Sequence, residues 1–478
     1  MDLTFKKKFG FEVWNKSRIN KAFKFAEDYK SFISENKTER EVVEWVLKQA
    51  EKAGFASFEG IGPSPKKARE KAKKVYGVNR GKSVILGVFG KRPMSQGIKM
   101  ILAHVDSPRI DLKLKPLYEE EKLAWLKTQY YGGIKKYQWP ALPLAIHGLV
   151  VLASGKQVSV LMGEKPQEPV LTITDLLPHL SKKQLEKKLE EAVEGEEMNV
   201  IIGSEPIMSS KLNPPVGGQN SKQDEKNTVK MGTLELLNKK YGIVEEDLVS
   251  ADLEIVPAGP ARDLGFDASM VGGYGQDDRI CAFSAFKALQ AINEPESSIV
   301  IVFVDKEETG SESNTGALSN FIPDFISEML YLETGTHNEN LLRDCLSQTK
   351  ALSADVTVAF DPDYKDVFDS KNTARLGAGI VLEKYTGRKG KSGTSEASAE
   401  YLAEIRKIFN QNNILWQTGG LGKVDLGGGG TIAMFLARYN MDVVDAGPPI
   451  LSMHSPFEIS SKIDLYACFE AYKAFLSV

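Results

Sequence analysis

Short apolar segments that end in charged residues are the feature that most limits the folds open to this chain. Ser83 to Phe89, Ile98 to Ala103 and Ser298 to Val304 are nearly continuous apolar runs with many β-branched residues. Such runs are typical of strands that are buried on both faces. Helical patterns lie between them, and strands that alternate with helices indicate a mostly parallel sheet with helices on both faces. The sequence therefore predicts the α/β class.

The composition changes in the middle of the chain, where Lys and Glu become frequent and the strands are scattered. We therefore expect a discontinuous α/β domain made of residues 1–112 and 251–478, and an inserted β-rich domain made of residues 113–250. Within the insertion, residues 181–198 show a charged helical pattern. Residues 209–230 are polar, contain Pro and Gly pairs, and are typical of an exposed loop.

Charge, hydropathy and cysteine content exclude several classes of protein. The net charge of −3 gives no indication of binding to nucleic acid or to an acidic membrane surface. No stretch reaches the roughly 18 apolar residues that a membrane span needs. The three cysteines form no CxxC pair, which predicts reduced, buried thiols rather than a disulfide framework. No signal-peptide pattern is present, so we expect a cytoplasmic protein.

Two charged motifs directly follow apolar runs, and ligands of α/β sheets bind beyond the carboxyl ends of the strands. Asp106 lies two residues after His104, where it can orient the imidazole of a metal-binding histidine. Glu307 and Glu308 are adjacent at a turn, so one can bind a metal ion while the other addresses a water on it. A capping histidine and a solvated acidic loop are the simpler interpretations of these motifs.

Three further positions complete the set of candidate residues. Asp277 precedes a helix and could equally be its N-cap. Asp355 lies inside an apolar stretch in which we interpret residues 353–360 as one strand, where a carboxylate is costly unless it binds a partner or a metal ion. A bond to the backbone is the alternative. His454 follows a strand and a Pro-Pro turn, and alone it would indicate a structural residue.

Taken together, these positions supply two histidines and several carboxylates but no thiolate. Nitrogen and carboxylate ligands suit zinc, cobalt or manganese. Two such ions about 3.5 to 4 Å apart suit the hydrolysis of an amide bond.

The order and spacing of these blocks resemble the M18 family of metallo-aminopeptidases over nearly the whole chain. The resemblance is carried by the segments Ala103–Arg109, Tyr131–Gly133, Asp277, Glu307–Ser313, Ser353–Asp355, Gly428–Ile432 and Leu451–Ser455. It implies a phosphorylase/hydrolase-like zinc peptidase domain with two divalent metal ions. Zinc is the expected metal, and cobalt and manganese are the alternatives. It also implies peptide substrates that have a free N-terminus.

The resemblance further implies a role for each candidate residue. His104 and Asp355 would hold one metal ion, Glu308 and His454 would hold the other, and Asp277 would bridge the two. A second set would act around these ligands, with Glu307 as the general base that activates a bridging water and Asp106 as the residue that orients His104.

The insertion resembles the family's dimerisation domain, which implies dimers that assemble into a tetrahedral dodecamer. In the family a histidine of this domain reaches the active site of the partner subunit. His179 matches that element, and an ordinary turn histidine is the alternative. The chain departs from the aspartyl members after Trp139, where Pro140 to Leu144 replace an Asp-Arg-Asp run. A strict preference for acidic N-terminal residues is therefore not implied.

Two other functions fit part of the pattern. A two-metal deacylase or carboxypeptidase of the same clan shares the HxD motif, the bridging Asp and the Glu pair, but it accepts a blocked N-terminus. A non-catalytic assembly protein that kept the fold would bind no metal. The Met453-His454-Ser455 ending and the large insertion favour the aminopeptidase.

Overall fold

The computed structural model describes residues 3–58, 73–207 and 227–478. The described residues form two compact units. The first comprises the chain up to Ser107 together with Ala261–Met453 and Phe457–Val478, and the second comprises Pro108–Pro260 and His454–Pro456. Most of the predicted loop, residues 209–226, lies outside the described residues. In the part of the chain that the structure describes, no helix has the length and apolar character needed to cross a bilayer.

The secondary-structure elements follow in chain order. The strands are β1 (Ala56–Ser57), β2 (Lys74–Asn79), β3 (Ser83–Val88), β4 (Lys99–His104), β5 (Arg109–Glu120), β6 (Leu123–Tyr131), β7 (Leu144–Val151), β8 (Gln157–Met162), β9 (Thr172–Ile173), β10 (Val200–Gly203), β11 (Ala251–Pro257), β12 (Arg262–Leu264), β13 (Met270–Gly273), β14 (Ile299–Val304), β15 (Lys350–Ser353), β16 (Thr357–Val358), β17 (Ile380–Glu383), β18 (Trp416–Thr418), β19 (Asp442–Gly447), β20 (Pro449–Leu451) and β21 (Glu458–Ser461). The helices are α1 (Gly10–Val13), α2 (Lys16–Glu35), α3 (Glu39–Lys52), α4 (Lys182–Leu185), α5 (Thr228–Tyr241), α6 (Gln276–Gln290), α7 (Phe321–Thr334), α8 (Glu339–Ser347), α9 (Ala399–Gln411), α10 (Ala433–Ala437) and α11 (Lys462–Leu476).

A nine-stranded sheet with the order β1-β2-β3-β14-β4-β15-β19-β17-β18 runs through the first unit. The central strands β14, β4, β15 and β19 are parallel to one another. Antiparallel pairs join β2 to β3, β3 to β14 and β19 to β17. The mixture of helices and sheets confirms the predicted α/β class. Because the central strands share one direction, their carboxyl ends meet at one edge of the sheet.

Both faces of this sheet are covered, as the strand β4 shows. Every residue of β4 is buried, and alternate residues enter two different cores. Ile101 and Ala103 pack in a core to which α2, α3, α6, α9 and α11 contribute. Met100 and Leu102 pack in the other core, with α7, α8 and α10. The continuous apolar character of the segment follows from this arrangement, since neither face of β4 meets water.

An aromatic cluster holds α6 against α2 and α3. The ring of Phe283 in α6 lies 5.2 to 5.5 Å, centroid to centroid, from the rings of Phe25, Tyr29 and Phe32 of α2. Trp45 of α3 lies 6.1 Å away. Aromatic pairs of this kind contribute about 0.5–1.5 kcal/mol each beyond the area that they bury. The cluster therefore gives α6, the helix that carries Asp277, a firm attachment.

The second unit contains a seven-stranded sheet with the order β8-β7-β11-β5-β6-β10-β9. All neighbouring strands in this sheet pair in the antiparallel sense. The helix expected over residues 181–198 is wrong in extent, because only Lys182–Leu185 is α-helical and a single 3₁₀ turn follows at Gly195–Glu197. Most of this segment is exposed, so it buries no apolar stripe that would stabilise a longer helix.

Candidate metal centre

The ends of three adjacent parallel strands bring the candidate residues of the first unit together. His104 is the last residue of β4 and pairs with Val304, the last residue of β14. The chain after β14 forms a 3₁₀ turn that contains Glu307 and Glu308. The strand β15, on the other side of β4, ends two residues before Asp355. The sheet register therefore places all these side chains at one edge.

His104 lies at the centre of the resulting cluster. Its Nε2 is 3.1 Å from Oδ1 of Asp277 and 3.9 Å from both Oε2 of Glu307 and Oδ1 of Asp355. Ligand atoms of His104, Asp277 and Asp355 lie within 4.8 Å of one another, and so do those of His104, Glu307 and Glu308. The ligand atoms of a tetrahedral zinc site are about 3.3 Å apart, given zinc–ligand bonds of about 2.0–2.1 Å. The donor set therefore fits a metal ion.

The charges of the cluster also favour a bound metal ion. Burial lowers the pKa of His104, but hydrogen bonds to Asp106 and Asp277 and the charge of Glu307 raise that pKa well above its usual value. Burial, with neighbouring carboxylates, also raises the pKa values of Asp278 and Asp355 well above the usual range. A bound cation would stabilise the ionised carboxylates, which one imidazole cannot balance.

Asp106 joins the two halves of the cluster. Nδ1 of His104 is 3.0 Å from the backbone oxygen of Asp106 and 3.4 Å from its carboxylate. The same carboxylate accepts hydrogen bonds from the backbone N–H groups of Glu307, at 3.1 Å, and Glu308, at 3.2 Å. The predicted contact with His104 is thus made mainly by the carbonyl, while the carboxylate holds the glutamate turn. With the proton on Nδ1, the ring presents the lone pair of Nε2 to the cluster.

Asp277 lies at the start of α6, where residues from other parts of the chain hold its backbone in place. Oε2 of Glu458 accepts hydrogen bonds from the N–H groups of Gln276, at 2.6 Å, and Asp277, at 3.1 Å. The hydroxyl of Ser107 donates to the backbone oxygen of Asp277 at 2.7 Å. Gly275, with φ +71°, is the N-cap of α6 and no side chain caps the helix, so the capping alternative for Asp277 is not observed. Glu458 was not a candidate from sequence, since nothing nearby in the chain signals its role.

Asp355 does not lie within a strand, which corrects the interpretation of 353–360 as one element. The strand β15 ends at Ser353, and β16 begins at Thr357 and pairs with β20 of a separate five-stranded sheet. The chain passes from one sheet to the other at Asp355. A Cβ at residue 447 would lie 1.9 Å from the backbone oxygen of Asp355, so this crossing requires Gly447.

Two predicted residues lie in the second unit. Nδ1 of His454 is 3.0 Å from the backbone oxygen of Gly133, which fixes the orientation of the ring. His179 is exposed in a turn at residues 178–180. The assignment of His454 as a metal ligand and of His179 as a substrate-binding residue both stay predictions.

Comparisons with known proteins identify the family of this chain. The family model for aminopeptidase I zinc metalloproteases (M18) matches residues 32–476. A probable M18 family aminopeptidase 1 of Clostridium acetobutylicum is 47% identical over 476 residues, which cover 100% of this chain and 99% of the relative. The crystal structure of an M18 aminopeptidase from Thermotoga maritima matches with a TM-score of 0.91 and 42% identity, over 99% of this chain and 100% of that chain.

A structure of the S. cerevisiae mApe1 dodecamer also matches, with a TM-score of 0.72 over 96% of this chain and 97% of that chain, but at 20% identity it bears on the fold alone.

A buried histidine among carboxylates at the carboxyl edge of an α/β sheet is a donor set that fits a divalent metal ion, as a metal-dependent hydrolase requires. With the matches above, the chain belongs to the M18 family of zinc metalloproteases and is an aminopeptidase.

The double role of Asp106 gives a first prediction. Asp106→Asn keeps the size of the side chain but turns an amide NH₂ toward a backbone N–H of the glutamate turn, so the turn should shift. We expect zinc affinity to fall about 10- to 100-fold, as is usual for residues that support metal ligands. Competition with a fluorescent chelator would measure it, with Asp111→Asn, in the second unit, as the control. Equal affinities in the two variants would contradict the role.

Proposed function

We propose that this aminopeptidase uses two divalent metal ions, zinc in the first place, to hydrolyse the peptide bond that follows a free N-terminal residue. The observation that carries the proposal is the pair of overlapping ligand groups that share His104. One contains Asp277 and Asp355, and the other contains Glu307 and Glu308. A single metal ion would leave several of these four carboxylates without a role. Two ions that share Asp277 account for Asp277, Asp355 and Glu308 as ligands and leave Glu307 beside them as the base.

The side chains have distinct tasks in this proposal. His104 and Asp355 would hold the first ion, and Glu308 would hold the second with His454, which we assign from its sequence position. Asp277 would serve both ions. Bound in this way, the ions would supply a water of lowered pKa and polarise the scissile carbonyl.

Two residues act beside these ligands. Glu307 takes the proton of the attacking water and passes it to the leaving amine. Asp106 keeps Glu307 in place through its backbone N–H. The substrate's free α-amine would bind at the metal centre beside the scissile bond. Cleavage is then restricted to N-terminal residues, because only they carry a free α-amine.

A substrate panel tests this function. Metal-free protein would be assayed with added Zn²⁺, Co²⁺ or Mn²⁺ on aminoacyl p-nitroanilides of Asp, Glu, Leu and Lys, each with a free and with an acetylated amine. We expect metal-dependent release from the free-amine substrates alone, and two bound ions per chain by elemental analysis. Comparable cleavage of acetylated substrates would favour the deacylase or carboxypeptidase chemistry, and a single ion at full activity would overturn the two-metal mechanism.

The role of Glu307 is tested by Glu307→Gln. The variant should bind both metal ions but lose turnover by about 10²- to 10⁴-fold, because an amide cannot accept the proton. Metal content and kcat would be measured on the same sample. Glu328→Gln, which changes an exposed glutamate of α7, is the matched control. Near-normal turnover in Glu307→Gln would rule out this residue as the base.

We infer that the segment around His179 is a surface for self-association that leads to dimers and then to the dodecamer. Leu176, Leu177 and Leu180 flank the histidine and are 53%, 50% and 68% exposed. Exposed apolar groups clustered in this way are typical of protein–protein contacts. The dodecameric yeast relative supports the proposal at the level of its fold.

Two variants test this surface. Leu177→Ser combined with Leu180→Ser should lower the mass seen by sedimentation velocity, whereas Leu114→Ser, at a residue that is 71% exposed elsewhere in the second unit, should not. His179→Ala should reduce kcat without loss of metal if the histidine serves a neighbouring copy. An unchanged mass in the double variant, or unchanged kinetics in His179→Ala, would remove the corresponding assignment.

A further inference from the structure

A small polar cavity lies in the first unit beside the paired strands β17 and β19, and its wall includes Asp355. The side chains of Thr357, Glu383, Thr431 and Asp445 belong to its wall. The space open to the centre of a water-sized molecule is about 10 Å³. That volume suits one water molecule or one small ion and nothing larger. The metal centre described above does not use these four side chains.

Two buried carboxylates face each other across this cavity. Glu383 of β17 and Asp445 of β19 are directly opposite in the antiparallel register, so their side chains lie on the same face of the sheet. They are only 6% and 5% exposed. Like charges in directly opposite positions destabilise a sheet, and burial increases the cost. Among the described residues, no Lys or Arg forms an ion pair with either carboxylate.

The hydrogen bonds of the cavity are incomplete. The hydroxyl of Thr357 donates to Oε1 of Glu383 at 2.6 Å. The hydroxyls of Ser353 and Thr431 lie close enough to the carboxylate of Asp445 to lower its pKa, but neither of them nor the buried Oδ1 of Asp445 makes a hydrogen bond of regular geometry. A buried carboxylate oxygen without a regular hydrogen bond needs an explanation, and a small ion or a water molecule in the cavity would supply one. Asp445 and Thr431 both belong to the cavity wall.

The acidity of the two carboxyl groups is compatible with a cation between them. Burial and the charge of Asp445 raise the pKa of Glu383 to about 7, against the hydrogen bond from Thr357. Burial raises the pKa of Asp445 to about 6, against the hydroxyls of Ser353 and Thr431. At neutral pH these groups readily lose their protons to a competing cation, which would then neutralise the pair.

We propose that this cavity is a separate cation site, formed by the carboxylates of Glu383 and Asp445 and the hydroxyl of Thr431. The ligand is a hard cation such as Na⁺, K⁺, Mg²⁺ or Ca²⁺, because the described residues of the wall offer side-chain oxygens and neither imidazole nor thiolate. Zinc, in contrast, prefers the group that contains His104. The bound cation ties the end of β17 to the middle of β19, next to Asp355.

Thermal unfolding of the zinc-loaded protein tests the proposal. The melting temperature would be measured against increasing NaCl, KCl, MgCl₂ or CaCl₂, with choline chloride keeping the ionic strength constant. At least one of these cations should raise the wild-type melting temperature in a saturable way, by about 3 °C at high excess. Glu383→Gln, Asp445→Asn and the milder Thr431→Val should each lose most of that shift.

The control is Asp464→Asn. Asp464 is also a fully buried carboxylate, but both of its oxygens accept hydrogen bonds from backbone N–H groups, those of Gly377 and Gly379. This variant should keep the wild-type response to the cation, even if its melting temperature is lower. Zinc content, measured on every sample, should be unchanged in the three cavity variants.

Three outcomes would overturn the proposal. The first is the absence of a saturable shift in the wild type, which would leave the cavity to a water molecule or to protons. The second is an equal shift in the wild type and the three cavity variants. The third is a loss of the response that occurs only together with loss of zinc, because the cavity would then act through Asp355 and not as a separate site.

Discussion

The parallel pairing of β4 with β14 and β15 is the constraint on which the metal centre depends. Hydrogen bonds along three adjacent strands fix the level at which each chain leaves the sheet. His104, the glutamate turn and Asp355 are therefore brought together by the backbone and not by the reach of flexible side chains. Much of the positioning is done by the backbone, with the carboxylate of Asp106 and that of Glu458 holding N–H groups on either side. The ordering of the site is thus part of the folding of the sheet.

The two buried acidic clusters of the first unit differ in the donor atoms that they offer. Around His104, the carboxylates surround an imidazole, and nitrogen and oxygen donors converge there. The same carboxylates raise the pKa of that imidazole. Around Glu383 and Asp445, only oxygens are available, and the two carboxylates are imposed on each other by strand register. The same sheet therefore offers two kinds of ligand environment, and the hardness of the donors separates the ions that they select.

The sequence was most informative where an apolar run ended in polar residues. The run before His104 is buried on both faces, so its length and its end were visible without a structure. Asp355 was misplaced because β15 and β16 lie in different sheets although only three residues separate them, and an apolar stretch carries no sign of such a crossing. Glu458 and the opposition of Glu383 to Asp445 depend on contacts between distant parts of the chain. Single-sequence patterns do not record such contacts. The length of the helix expected at 181–198 was overestimated for another reason, because helical spacing without a buried face does not stabilise a helix.

The alternation of β4 between two cores also limits how the gene for this chain can vary. A loop tolerates the gain or loss of a codon, because its residues have no fixed partners. Removal of one residue between Lys99 and His104 would invert every following side chain, exchange the contents of the two cores and turn the histidine to the opposite face. Substitutions that keep apolar side chains in this strand are therefore easier to accommodate than changes in its length.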